Sequence, residues 1–388
     1  MQQQQTASQA LSAFSSQYPA QKEAINKIQD LYNQKLWHNI TIEIQNLVKQ
    51  PGLESHEAGK ALHELYINFF SQFELKLNSL RVAEIVVAIT RKSNNPQETI
   101  EFLQAVAKRL SENKNNAEAV AILKTEIGVW HLRTSEFQQC RDILRQVKEL
   151  IEKTGHVDNT VHSAYYKTHA EYLKLTEDPN EFYRNALLHL AYTPIEDITH
   201  IEQQAIAYDL GIAALLGDSI YNFGELLGHP VIESLRGSQA DWLLKILFSF
   251  NRGDLKEFQA QSAAFSNLEV LNKNQSFLTE KLQLMAVMEL VFNRPADNRI
   301  IPFADVSDAT GVGLDRVEPL LLKSLAYSLI RGVIDQVSGT IRVTWAQPRV
   351  LDKAQISNLR EKIGGWLNKV DHSIEFLQDK GTNEIVNA

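Results

Sequence analysis

The sequence predicts a mostly α-helical protein in which a stack of helical hairpins is followed by a winged helix and one further helix. From about residue 20 to about residue 292, apolar residues recur at spacings of three and four, the period of amphipathic helices. Residues 332–351, GVIDQVSGTIRVTWAQPRVL, instead show the pattern of a β-hairpin with a central Ser-Gly turn. Residues 352–381 return to a helical period.

The composition is that of a globular protein. Of the 388 residues, 44% are hydrophobic, which allows a substantial core. The net charge of -8 and the pI near 5.8 argue against a protein whose main ligand is nucleic acid or an anionic membrane. Cys140 is the single cysteine and cannot form an intramolecular disulfide, which favours a reducing compartment.

The N-terminal segment, MQQQQTASQALSAFSSQYPA, has neither the basic start nor the continuous apolar stretch of a signal peptide. Its Gln and Ser bias predicts a flexible tail over residues 1–18. The longest apolar runs, such as IVVAI at residues 85–89, fall far short of the roughly 20 residues that span a bilayer. We therefore expect no membrane partner.

The long helical region contains an irregular repeat. A helix ends at an aromatic residue, a short polar turn follows, and an aromatic residue near an acid opens the next helix. These opening aromatics are Phe137, Phe182, Phe223 and Phe258, at separations of 45, 41 and 35 residues. Such periods are typical of stacked hairpins of the tetratricopeptide kind, although their drift leaves a generic helical bundle as an alternative. Asn95, Pro96 and Glu98 predict a capping box at one helix start.

The winged helix is predicted from the elements around the hairpin. Residues 301–311 indicate a short helix ending at Gly311, and residues 315–332 a longer one. Two strands follow, at about 333–337 and 341–345. A two-residue turn at Ser338-Gly339 would place Arg342 opposite Asp335.

A winged helix raises the possibility of DNA binding, because its second helix can enter a major groove. Between Pro295 and Leu351, however, six basic residues are balanced by six acidic ones, which leaves little electrostatic drive. We therefore expect no nucleic-acid partner.

No residues with the spacing of a catalytic, cofactor or metal site stand out. His162 and His169 could share a helix face, but no third ligand accompanies them. The consecutive Ser55, His56 and Glu57 would point in different directions from a helix and cannot form a relay. Cys140 lies in an apolar-periodic stretch and is expected to be buried. An enzyme with an unrecognised metal site stays a weaker alternative.

The C-terminal segment carries an apolar seam with a period close to 3.5 residues, as in helices that pair with other helices. Gly364 and Gly365 weaken it locally. The alternative is that the seam folds back on the body of the chain. The seam consists of Ile356, Leu359, Ile363, Trp366, Val370, Ile374 and Leu377.

A helical-repeat array that runs into a winged helix resembles the PCI-domain subunits of the proteasome lid, the signalosome and a translation initiation factor. The lid subunits are the nearest in sequence, through residues 208–235 (YDLGIAALLGDSIYNFGELLGHPVIESL), the hairpin at 332–351 and LYNQKLWHNI at 31–40. The resemblance therefore covers nearly the whole chain. It implies helical repeats at 19–172, a PCI domain at 173–346 with its winged helix at 295–346, and a C-terminal assembly helix at 347–388.

The resemblance also implies a function. We expect a non-catalytic scaffold of the lid, located in the cytoplasm and nucleus, that acts in ubiquitin-dependent protein degradation. The implied partners are other PCI subunits, the metalloprotease-fold subunits and a neighbouring ubiquitin receptor. The hairpin's edge strand, with Thr344 pointing outward, is expected to dock the neighbouring PCI subunit. The alternative function is a PCI protein that binds RNA or DNA through its winged helix.

Overall fold

A computed structural model of the chain describes residues 11–50, 52–53, 55–113, 116–265, 269–294, 299–348, 350 and 353–386. It divides into two compact units, Met1–Asp197 and Ile198–Ala388.

The first unit is helical, apart from its turns, throughout its described residues. Residues 11–17 are already helical, with Leu11 and Phe14 buried, and so do not belong to the flexible tail that the sequence predicts. The longer helices are α1 (Lys22–Gln34), α2 (Trp37–Lys49), α3 (His56–Asn68), α4 (Ser79–Thr90), α5 (Pro96–Ser111), α6 (Ala117–Arg133), α7 (Phe137–Thr154), α8 (Asn159–Leu175) and α9 (Pro179–Tyr192).

Three turns between these helices have the same backbone feature. Lys35 before α2, Ser135 before α7 and Glu177 before α9 each adopt a left-handed conformation, with φ of 58°, 62° and 58°. Such a residue reverses the chain within a few residues, so that consecutive helices pack as an antiparallel hairpin. The predicted helical repeat is thus confirmed, with the same turn at several of its hairpins.

Helix α6 lies at the centre of this unit. It packs against α4, α5, α7 and α8, and twelve of its seventeen residues are buried. Cys140 on α7 is fully buried, as predicted, next to Gly128 of α6. Burial raises the pKa of its thiol to about 12, so the thiol is unreactive at neutral pH.

A buried hydrogen-bond network joins helix α3 to helix α5. Tyr66 donates its hydroxyl to Glu74, with an O–O distance of 2.6 Å, and the Arg109 Nε lies 2.7 Å from the same carboxylate. Glu74 is only 3% exposed, so both bonds are needed to offset the desolvation of its charge.

The predicted capping box before α5 is wrong. Asn95 does precede the helix, but its side chain caps no backbone N–H. Instead, Thr99 donates its hydroxyl to the Asn95 carbonyl and to the Ser93 hydroxyl. The start of helix α5 is therefore held by Ser93 and Thr99 rather than by the predicted pair of Asn95 and Glu98.

The second unit begins with helices and ends in the winged helix. A capping box of Thr199 and Glu202 starts its first helix. Its elements are α10 (His200–Leu216), α11 (Phe223–Gly228), α12 (Asp241–Arg252), α13 (Leu255–Phe265), α14 (Glu269–Lys273), α15 (Gln275–Asn293), β1 (Ile300–Pro302), α16 (Phe303–Thr310), α17 (Leu314–Ala326), β2 (Ile330–Asp335), β3 (Thr340–Ala346) and α18 (Lys353–Val386).

The winged helix is confirmed, but its details differ from the prediction. Helix α17 ends at Ala326 rather than at 332, because Ser328 adopts a left-handed φ of 57° and reverses the chain into β2. The strands form an antiparallel sheet of order β1-β3-β2. Strand β1 was not predicted, because the sequence analysis assigned residues 301 and 302 to the short helix and three residues are too few to show an alternating pattern. The central strand is therefore β3.

The predicted register of the hairpin is wrong by two residues. Asp335 pairs with Thr340, so residues 336–339 form the loop. The Asp335 carboxylate accepts hydrogen bonds from the N–H groups of Val337 and Ser338, at 3.1 Å each, and so shapes this longer turn. Arg342 consequently lies opposite Val333 rather than Asp335.

Lysine 281 on α15 is the most unusual buried side chain of the second unit. It is 1% exposed, and its ammonium donates to the carbonyl oxygens of Ala214, at 2.7 Å, and of Gly217 at the end of α10. The rings of Tyr221 and Phe223 lie 5.5 and 5.4 Å from the nitrogen. The cation thus supplies donors to the C-terminal carbonyls of α10, which have no partners within the helix.

Because α15 also packs against α12, α16, α17 and β3, Lys281 connects the end of α10 to the helix that supports the winged helix. Burial lowers the pKa of its ammonium to about 7, from an ordinary value of 10.5.

This pKa predicts a specific pH dependence of stability. Between about pH 7 and pH 10 the unfolded chain binds more protons at this site than the folded one, so the free energy of unfolding should rise with pH across that window. Lys281→Met should remove this rise and should also destabilise the unit, because the carbonyl groups lose their donor. Urea unfolding of both proteins at several pH values measures the difference.

Lys245→Met is the matched control, since Lys245 is 54% exposed on α12. Its pH profile should follow that of the unchanged protein. An equal slope for the unchanged protein and Lys281→Met would show that the ammonium does not titrate there.

Candidate functional site

The predicted seam lies along the exposed surface of helix α18. All seven of its residues are exposed, from 37% for Val370 to 68% for Trp366 and Leu377. Nothing packs within 4 Å of a Cβ built on Gly364 or Gly365. The alternative, in which the seam folds back on the chain, is therefore not the arrangement that the structure shows.

The apolar surface of α18 is wider than the predicted seam. Leu367 is also exposed, at 57%, and lies beside the seam. Leu367 follows Ile363 by four residues and precedes Val370 by three, a spacing that could have been read from the sequence. A stripe this wide suits contact with more than one neighbouring helix, whereas a two-helix coiled coil needs only the narrow seam.

The second exposed apolar surface is the outer face of the winged-helix sheet. Ile300, Arg342 and Val333 lie side by side across the three strands. Ile300 is 45% exposed and Val333 is 68% exposed, while the residues behind them on the inner face, Ile301 and Ile341, are buried. Sequence analysis did not identify Ile300, because it predicted no strand there, and it did not single out Val333.

Thr344 is exposed, as expected, but it does not lie on an edge strand. It belongs to the central strand β3, and its hydroxyl donates to the Arg331 carbonyl of β2 at 3.1 Å. Arg331 in turn lies over the ring of Trp345, at 4.7 Å. Val343 on the same strand is buried, and Trp345 is half-buried.

Two basic residues in or next to this region form ion pairs with acids of the same unit. Arg294 pairs with Asp305, and Lys323 of α17 pairs with Glu280 of α15. These pairs reduce the positive charge available to a phosphate backbone.

The histidines singled out in the sequence are held by neighbouring side chains. His162 stacks on Tyr192, with ring centroids 4.6 Å apart, and the His169 Nδ1 lies 2.9 Å from the Asn185 amide oxygen. Burial lowers the pKa of His169 below its ordinary value. Within the described residues, no group of three or more His, Cys, Asp or Glu side chains could hold a metal ion.

Two other sequence motifs have structural roles. The Ser55 hydroxyl accepts the Ala58 N–H at 3.2 Å and caps helix α3. Gly311 adopts a left-handed φ of 64° and ends helix α16. No helix in the described part of the chain has an apolar stretch long enough to cross a membrane.

Comparison with known proteins covers nearly the whole chain. Residues 24–247 match the family described as PSD13 N-terminal repeats, and residues 258–345 match the PCI domain. The chain is 36% identical over 386 residues to 26S proteasome non-ATPase regulatory subunit 13 homolog B of Arabidopsis thaliana, covering 98% of this chain and 99% of that protein.

Two further relatives come from other organisms. Identity is 33% to 26S proteasome non-ATPase regulatory subunit 13 of Dictyostelium discoideum, with 93% and 94% of the two chains covered. It is 30% to 26S proteasome regulatory subunit RPN9 of Saccharomyces cerevisiae, with 94% of each chain covered.

The charge balance of the winged helix predicts weak nucleic-acid binding. The Kd for duplex DNA or single-stranded RNA should be no tighter than the non-specific range of about 10⁻⁴ to 10⁻⁶ M at physiological salt. Fluorescence anisotropy measures it. Sub-micromolar binding that Arg342→Glu abolishes would mean that the wing is a nucleic-acid site.

Proposed function

The chain belongs to the family of 26S proteasome non-ATPase regulatory subunit 13, and we propose that it is a non-catalytic scaffold subunit of the proteasome regulatory-particle lid. Its role is to support lid assembly, and through it ubiquitin-dependent protein degradation, in the cytoplasm and nucleus. The observation that carries this proposal is similarity over nearly the full length to proteasome regulatory subunits, in a chain that exposes large apolar side chains on α18 and on the winged-helix sheet.

The proposed partners are the other PCI subunits, the metalloprotease-fold subunits and a neighbouring ubiquitin receptor of the lid. Helix α18 supports this through the energetics of its exposed seam. Each seam residue would contribute roughly 1.5 to 3 kcal/mol on full burial, whereas ordering the backbone of an isolated helix costs roughly 1 to 2 kcal/mol per residue. An unpartnered helix with this composition is therefore suited to stabilisation by neighbouring subunits.

Removal of residues 352–388 should separate assembly from folding. Because the seam side chains are exposed, the melting temperature of the isolated chain, measured by circular dichroism, should change little. Incorporation into the lid, measured by co-purification of lid subunits, should fall greatly. A large drop in melting temperature would instead indicate that α18 stabilises its own chain.

Single substitutions refine this experiment. Trp366→Ala should cost roughly 3 to 5 kcal/mol of interface energy, since a large buried aromatic leaves a large void. Lys369→Ala, at an exposed polar position of the same helix, is the control and should assemble normally. Equal incorporation of the two variants would remove the seam from the interface.

The outer face of the winged-helix sheet is the second proposed docking surface, for the neighbouring PCI subunit. On this face, the exposed apolar side chains of Ile300 and Val333 lie on either side of Arg342. Val333→Asp should impair incorporation into the lid without changing the circular dichroism melt, because the side chain is 68% exposed. Burying the new carboxylate is unfavourable even beside Arg342, because desolvating an ion pair at an interface can cost more than its attraction returns.

Val337→Asp supplies the matched control, because Val337 is fully exposed at the tip of the hairpin and carries the same change of charge. It should assemble as the unchanged protein does. Normal assembly of Val333→Asp would exclude this face as a docking surface.

A further inference from the structure

A groove in the first unit is lined by more basic than acidic side chains, although the chain as a whole is acidic. It runs across the neighbouring helices α4, α6 and α8 and has a volume of about 550 Å³. This volume lies within the range of about 300 to 1,000 Å³ that is usual for ligand sites. The groove is formed by residues of the first unit alone.

The floor of the groove is apolar or uncharged. At its rim, Leu175 at the end of α8 leaves 55% of its surface exposed to solvent. A bound segment could bury its apolar side chains here. The floor residues are Val87, Ile122, Thr125, Val129, Ala164 and Thr168.

The walls carry more cations than anions. Arg91, Arg133, Lys167 and Lys174 line the groove, against two acids, Glu126 and Glu171. By contrast, the whole chain has a net charge of -8. The positive excess is therefore a local property of this groove.

One of the two acids is already neutralised. Glu126 is 3% exposed, and the Arg91 Nη2 lies 3.1 Å from its carboxylate. The Arg133 guanidinium lies 4.5 Å from the centre of the Trp130 ring, which limits its movement and leaves it at the groove wall.

The second acid, Glu171, is an exposed residue of the groove wall. The pKa of its carboxyl is raised, mainly by desolvation, while Lys167, Arg133 and Arg91 act to lower it. Three of the cations thus lie close enough to act on one carboxylate.

Part of the positive charge has an ordinary explanation. Arg91, Arg133 and Lys174 lie at helix C-termini, where the partial negative charge of the helix offsets a cation. Lys167 lies in the middle of α8, so no helix end compensates its charge. The excess is therefore not explained by helix dipoles alone.

We propose that this groove binds an acidic, amphipathic segment of a partner protein. The carboxylates of the segment would pair with Arg133 and Lys167, and its apolar side chains would lie on the floor of Val87, Ile122 and Val129. The apolar floor favours a polypeptide over a nucleic acid, whose charged backbone would not bury it.

The test measures binding of a fluorescein-labelled peptide of alternating glutamate and leucine to the full-length chain by fluorescence anisotropy. Arg133→Gln combined with Lys167→Gln should weaken binding at least tenfold, and added salt should weaken binding to the unchanged protein. Circular dichroism melts check that the variant remains folded.

The matched control is Arg145→Gln combined with Lys153→Gln on α7, which removes the same charge from side chains that are 72% and 75% exposed and lie outside the groove. It should bind the peptide as the unchanged protein does. Equal loss in both double variants, or no detectable binding by the unchanged protein, would overturn the proposal. So would equal affinity for a peptide of alternating lysine and leucine, or tighter binding of a single-stranded oligonucleotide than of the acidic peptide.

Discussion

The fold depends on one constraint, which is that an amphipathic helix is stable in water only when its apolar face is covered. In the first unit this requirement is met by stacking, since α6 is covered by α4, α5, α7 and α8. In the second unit α15 is covered in a similar way, by α12 and by the elements of the winged helix. Helix α18 is the exception among the described residues, because its apolar side chains remain exposed. This exposed apolar surface supports the proposal that α18 packs against other subunits.

Charged groups inside both units are tolerated because each has partners. Glu74 is held by Tyr66 and Arg109, and Lys281 donates to the carbonyls that end α10. Burying an ion without such partners costs several kcal/mol, so these groups constrain which helices can lie side by side. Their role is structural, and they hold the helices that present the exposed surfaces.

The chemistry of the interior is consistent with a scaffold. The thiol of Cys140 is buried with a raised pKa, and His162 and His169 are engaged by Tyr192 and Asn185. The exposed features are instead an apolar helix, an apolar sheet face and a cationic groove. The cationic groove differs in chemistry from the two apolar surfaces, so we propose that it recognises a different kind of partner.

The sequence by itself determined the helical period, the winged helix and the seam from Ile356 to Leu377, because these depend on spacings within a short stretch of chain. It did not determine the register of the hairpin, since the Asp335 carboxylate organises a longer turn than Ser338-Gly339 alone suggests. The groove and the Lys281 contacts were decided only by the tertiary structure. Both bring together residues from separate helices, such as Arg91 with Lys167, and Lys281 with Ala214. The strength of these interactions depends on burial and on distances between residues that are far apart in the sequence, and a short stretch of sequence contains no information on either.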